Sequence, residues 1–147
     1  MPADGLVTLR SPYGPEETMN RLEAELVGKG MTVFARIDHA AAAEAVGLAL
    51  RPTEVLIFGN PRGGTPLILA SRTIGLDLPL RVLVWQDAGR DTWLAYDDPR
   101  WLARRHGIHR AAAAEVTAMT AMLACLVAAT TAPASTASCN PSSDLQI

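Results

Sequence analysis

The stretch Glu54–Gln86, EVLIFGNPRGGTPLILASRTIGLDLPLRVLVWQ, decides how the rest of the chain is read. Val55 to Phe58 is a continuous apolar run, as in a central strand. Leu80 to Gln86 alternates, with Leu80, Val82 and Val84 on one side and Arg81, Leu83 and Trp85 on the other. Between them GNPRGG reads as a loop. Thr65-Pro66 then supplies an N-cap followed by Pro at the first helical position, which predicts a helix through about Ser71. Gly75 and Pro79 bracket a second loop. Asp87 to Arg90 predicts a hairpin turn with Gly89 at the left-handed position, so Thr92 to Tyr96 returns as the partner strand.

Working outward toward the N-terminus, Met31 to Ile37 is a strand. Its alternation puts Met31, Val33, Ala35 and Ile37 on one face and Thr32, Phe34 and Arg36 on the other. Asp38 caps the Ala-rich segment HAAAAEAV, which Gly47 ends. Before it, Pro15, Glu16 and Glu17 open a helix whose Met19, Leu22 and Leu26 recur at helical spacing. Leu6 to Arg10 is the first strand. Toward the C-terminus, Asp98-Pro99 caps a short helix PRWLARRH. A last helix starts near His109, with Val116, Met119, Leu123, Leu126 and Val127 as its apolar stripe. The order β-α-β-(α)-β-(α)-β-β-(α)-α predicts an α+β fold, a mainly antiparallel sheet with helices packed on one face. One domain is expected over residues 1–131. Residues 132–147, rich in small polar residues and Pro, are expected to be a disordered low-complexity tail.

Length and composition fit one core: 147 residues, 49% of them hydrophobic. The net charge of −2, with both signs interspersed, argues against a nucleic-acid binder. Cys125 and Cys139 do not form a CxxC pair, and no disulfide framework is expected. The N-terminus lacks a basic start followed by an apolar core, so no signal peptide is read and a cytoplasmic location is expected. Ala111 to Ala129 is apolar but Ala-rich and interrupted by Glu115, Thr117 and Thr120. It reads as a buried helix rather than a membrane span.

Candidate chemistry is sparse. The GNPRGGTP loop could present free N–H groups to an anion, with Arg62 as counter-charge and Asn60 and Thr65 beside it. Its spacing matches neither the P-loop nor the dinucleotide fingerprint, and a plain turn with a cap accounts for it as well. Asp38-His39 is either a cap followed by a surface histidine or an acid, base or ligand. His106 and His109 are three apart, but Gly107 interrupts them and no Glu or Cys stands nearby at ligand spacing, so no metal is assigned. Trp85, Trp93, Tyr96 and Trp101 read as cross-strand packing, a pocket wall or a dimer face. Asp97-Asp98 is a carboxylate pair in which Asp98 already serves as a cap. No nucleophilic constellation is visible.

The succession IDHAAAAEAVGLALRP, FGNPRGGTPLI, GLDLPLRVLVWQD and YDDPRWLARRHGI resembles the domain-of-unknown-function 302 family over about Leu6 to Ala129. The ordered set N-P-x-x-G-T-P, D-L-P and D-P-x-x-L-x-x-R-H-G carries the resemblance. It implies a TATA-binding-protein-like fold (β-α-β4-α with extra helices) and often a dimer. It implies no DNA binding and brings no established reaction. The family's recurring polar residues fall here on Asp38, His39, Asn60, Pro61, Asp98 and His106. Gly63-Gly64 departs from the Lys- or Arg-plus-Ala form of that loop.

The leading expectation is a small non-catalytic domain that binds a small molecule or anion, as a homodimer and without a cofactor. Asn60, Arg62 and Thr65 would hold the polar group, with Asp38, His39, Asp98 and His106 as second candidates and Tyr96 and Trp85 as lining. An enzyme, hydrolase or redox-linked, using His39 or His106 as acid or base stands as one alternative. A homodimeric interaction module without ligand stands as the other.

Overall fold

The computed structural model describes residues 3–133. Its elements follow the predicted order with one 3-10 helix added where a loop was read: β1 Leu6–Ser11, α1 Pro15–Gly28, β2 Thr32–Asp38, α2 His39–Ala45, β3 Thr53–Gly59, α3 Pro61–Ala70, the 3-10 helix Arg72–Leu76, β4 Leu80–Gln86, β5 Thr92–Asp97, α4 Pro99–Arg105 and α5 Ala113–Thr131. The expected tail lies outside the described residues, apart from Ala132 and Pro133.

The five strands form one antiparallel sheet in the order β1-β5-β4-β3-β2. β1 and β2 are consecutive in the chain yet sit on opposite edges. α1 makes that crossing and touches β2, β3, β4 and β5 on its way. Its 14 residues give about 21 Å of helix, and four strand spacings give about 19 Å of sheet. Ser11, at the end of β1, and Thr18, at the end of the first turn of α1, bury their hydroxyls against each other at 2.7 Å. That bond fixes the helix's departure from the sheet.

The main core lies between the sheet and the α1–α5 pair. Met19, Leu22 and Leu26 of α1 meet Leu56 and Phe58 of β3, Val82 and Val84 of β4, Leu94 and Tyr96 of β5, and Leu123 and Leu126 of α5. A second cluster, with Leu67, Ile74, Leu102, Ile108 and Val116, joins α3, the 3-10 helix, α4 and the start of α5. α5 is long and apolar enough to cross a membrane by length and composition. In the fold its Leu123, Leu126 and Val127 are packed in the main core. On the other face of the sheet, Val55, Ile57, Leu83, Trp85 and Trp93 belong to neither cluster and are only partly covered.

Five details differ from the sequence reading. In β2 the register shifts between Val33 and Ala35. Phe34 is the extra residue of a bulge, and beyond it the faces exchange. Arg36 therefore lies opposite the buried Leu56, on the helix side, where it bonds Glu54, Glu23 and Asn20. Those bonds raise its pKa, led by the one to Glu54. GNPRGG is not a loop, because α3 starts at Pro61, capped by the Asn60 side chain, and Thr65 and Pro66 lie inside the helix. Asn60-Pro61 is the same cap-plus-Pro signal five residues earlier. In the β4–β5 hairpin the left-handed residue is Arg90, φ 65°, and not Gly89. The bond from Arg90 N to Asp87 O closes a turn with Ala88 and Gly89 as its central residues, and Arg90 follows them in the left-handed region. The last helix begins at Ala113 rather than His109, after Ala112 in the left-handed region. Cys125 is disulfide-bonded, where the sequence reading expected no disulfide framework.

Phe58→Ala removes a ring with no exposed surface and is expected to cost about 3–5 kcal/mol. Phe34→Ala removes a bulge ring that is 53% exposed and is expected to change stability by no more than about 0.5 kcal/mol. Urea unfolding of the two variants beside wild type checks both values.

Candidate functional site

The densest polar cluster gathers where the 3-10 helix meets the end of α4. The turn after Arg72–Leu76 places Asp77, whose N–H bonds Ile74 O. α4 ends at His106, because Gly107 takes φ 71°, a conformation that disfavours residues with a Cβ. Ile108 N then bonds back to Ala103 O, and Ile108 drops into the second core cluster. This termination presses the imidazole of His106 against the 3-10 helix.

The His106 and Asp77 side chains are 5% and 8% exposed. His106 Nε2 lies 2.5 Å from Asp77 Oδ2, and Nδ1 lies 2.8 Å from Thr73 Oγ1. Ser71 Oγ is 3.3 Å from the same Thr73 hydroxyl. Arg105 Nη1 donates to both Asp77 oxygens, at 3.1 and 3.0 Å. Arg81 sits 3.8 Å from Asp77 and equally far from Asp97. An ionised carboxylate only accepts, so Nε2 carries a proton and donates to Asp77. In the neutral ring Nδ1 is then the acceptor, and Thr73 O–H donates to it. Arg105 and Arg81 thus offset, and His106 hydrogen-bonds, a carboxylate that burial alone would penalise.

The candidates read from the sequence divide between the two ends of the sheet. Asp38 pairs with Glu54 at one end, and Gly59 pairs with Thr32 at the other. Asp38 and His39 are therefore about 20 Å from Asn60 along the strands. Asp38 accepts from Ala41 N at 2.9 Å as the cap of α2, and His39 is exposed. Asn60 accepts from Arg62 N at 3.0 Å, while Arg62 and Thr65 are exposed. Asp98 shares the Asn60 end. It caps α4 through Arg100 N and holds the Arg100 guanidinium with both oxygens. Those bonds from Arg100 hold its carboxyl below the usual carboxylate range. Tyr96 is buried in the main core, and burial raises its phenol pKa. Trp85 and Trp93 are cross-strand partners, and Trp93 Nε1 donates to Asp87 at 2.8 Å. His109 is exposed and outside the cluster. Among the described residues no three of His, Cys, Asp and Glu are grouped as a metal site would need.

Asp77 and Thr73 are the members that sequence reasoning missed. Asp77 stands 29 residues from His106 and Thr73 stands 33, and no local pattern links positions that far apart. Two surface depressions stand out among the described residues. One, of about 500 Å³, is lined by Arg10, Tyr13, Arg90 and Asp91. The other, of about 220 Å³, is lined by Arg104, His109 and Val116. Neither is lined by His106 or Asp77.

A five-stranded antiparallel sheet with five helices and a buried His–Asp pair defines a small α+β domain. Residues 7–126 match the family described as Domain of unknown function DUF302, and the chain belongs to that family. A crystal structure of an uncharacterized conserved DUF302 protein from Bacillus stearothermophilus has the same fold. Its TM-score is 0.76 at 23% identity, over 86% of this chain and 98% of that one. Among curated proteins, "Fluoride-specific ion channel FluC 1" of Brucella suis biovar 1 is 51% identical over 104 residues, 71% of this chain and 41% of the relative. "Fluoride-specific ion channel FluC 2" of Brucella melitensis biotype 1 is 51% identical over 104 residues, 38% of its length. The chain thus spans about two fifths of the curated relatives it matches.

Asp77→Ala leaves His106 and Arg105 without their carboxylate and is expected to cost about 3 kcal/mol, measured by urea unfolding. The lowered Asp98 carboxyl adds stability that is present above its unfolded value and lost as pH falls through the folded one. Below about pH 4, Asp98→Asn is expected to flatten the decline of the urea midpoint with acid relative to wild type.

Proposed function

We propose that this DUF302 domain is an association module, and that its partner is a second copy of the same chain, meeting it through the sheet face that the α1–α5 pair leaves open. The observation that carries this reading is the row of Val55, Ile57, Leu83, Trp85 and Trp93, outside both core clusters. Ile37, paired with Val55, is 41% exposed, and Leu6, on the same face of β1, is 39% exposed. Aromatic and branched residues concentrated on one surface are what a protein interface uses as its centre.

The rim favours a like partner. Arg10 with Asp91 and Arg81 with Asp97 place a cation and an anion at each end of the face. Two copies laid face to face can exchange these partners, as an isologous interface requires. A helix layer over one face and an open second face is also how a TATA-binding-protein-like β-α-β4-α plan is arranged, and we adopt that plan for this domain. Ligand binding is placed second because Asp38 and His39 stand at the far end of the sheet from Asn60, Asp98 and His106.

The FluC-named relatives extend well beyond the matched stretch. In proteins of that build we assign ion conduction to the remaining segments, and to the DUF302 part the pairing of chains.

Light scattering coupled to size exclusion is expected to give a dimer for wild type and a monomer for Trp85→Asp and Leu83→Asp. Both substituted residues stand outside the core, so the variants should melt near the wild-type temperature. A monomeric wild type, or a dimer that survives both charges, overturns the reading.

A further inference from the structure

The chain Ser71–Thr73–His106–Asp77 has more order than a structural ion pair needs. A lock between the 3-10 helix and α4 is complete once Asp77 holds Arg105 and His106. The second ring nitrogen nevertheless faces a hydroxyl at 2.8 Å. That hydroxyl belongs to Thr73, an exposed residue, whereas the imidazole and carboxylate behind it are buried. The sequence of groups is an accessible hydroxyl, a base, and a buried acid that orients the base. That is the arrangement that activates an oxygen nucleophile, and it is recognised by geometry and not by order in the chain.

We propose that Thr73 is a nucleophile for activated acyl groups, esters or thioesters, with His106 as its general base and Asp77 as the residue that positions His106. This proposal does not rest on the association reading, because Thr73 lies off the open sheet face.

The step balances within these groups. The Thr73 hydroxyl proton passes to His106 Nδ1 as the Oγ electron pair forms the bond to the acyl carbon. The C–O or C–S bond to the leaving group breaks, its electrons stay on the departing oxygen or sulfur, and that atom takes the proton back from Nδ1. Water then attacks the Thr73 ester, giving its proton to Nδ1. The carboxylic acid leaves, and Thr73 recovers its hydroxyl proton from His106. Asp77 remains a carboxylate throughout and stabilises the imidazolium formed in each half. Ser71 can donate to Thr73 Oγ from the opposite side, which holds the hydroxyl aimed at Nδ1. Thr73 is exposed, so the site offers the acyl chain little enclosure. Small donors are therefore its expected substrates.

The experiment exposes the full chain to 4-nitrophenyl acetate, follows 4-nitrophenolate release, and maps the acetyl group by peptide mass spectrometry. Wild type and Thr73→Ser are expected to carry acetyl at position 73, and Thr73→Val to carry none there. Removing the positioning carboxylate with Asp77→Asn is expected to slow acetylation of Thr73 by about 100-fold or more, the scale of general-base assistance. Melting curves establish that the compared variants are folded, and should Asp77→Asn fail to fold, the Thr73→Ser and Thr73→Val pair decides. Acetyl found on lysine or the N-terminus but not at position 73 overturns the proposal. So does a folded Asp77→Asn that labels Thr73 at the wild-type rate.

Discussion

The strand order imposes the one connection everything else accommodates. β1 and β2 run parallel to each other on opposite edges of the sheet, with three antiparallel strands between them. No turn can join such edges, so α1 must carry the chain over the sheet. Doing so, it buries Met19, Leu22 and Leu26 against the central strands. α5 then needs only to lie beside α1, which it does, completing a single helical layer. The second face receives no equivalent layer from α1 or α5, and the apolar residues that central strands need on both sides remain partly open there.

The same crossing explains the separation of the polar sites. With the strands antiparallel and the helical layer diagonal, the loops sort into two ends. Asp38 and His39 close β2 at one end. Asn60, Asp77, Asp98 and His106 gather at the other, because β3 and β5 finish where β4 begins. A polar residue's neighbours in sequence are therefore poor guides to its neighbours in space. His106 meets Asp77 and Thr73 only because Gly107 ends α4 beside the 3-10 helix.

What the sequence could tell follows the same division. Element order was legible, since the Met19–Leu22–Leu26 stripe, the Leu80–Gln86 alternation and the Asp98-Pro99 start are local signals that the tertiary structure obeys. Two local signals competed at Asn60-Pro61 and Thr65-Pro66. The earlier one prevailed, in spite of two glycines in the first turns, because it carries Leu67 on α3 into the second core cluster. The face reversal in β2 had no signal at all, as Phe34 looks like any strand residue until its partner strand is known. Family membership was legible because it rests on ordered short motifs. The Thr73–His106–Asp77 contact was not, because it is made wholly by the fold.

The bulge at Phe34 also limits how a further strand can add to this sheet. β2 is an edge strand, and a regular edge is a template onto which another strand can add. Here the extra residue breaks the spacing of exposed N–H and C=O groups halfway along. Beyond it an arginine points toward the helical layer, where an incoming strand would expect an apolar side chain. Edge-to-edge growth of the sheet is thereby discouraged at this rim.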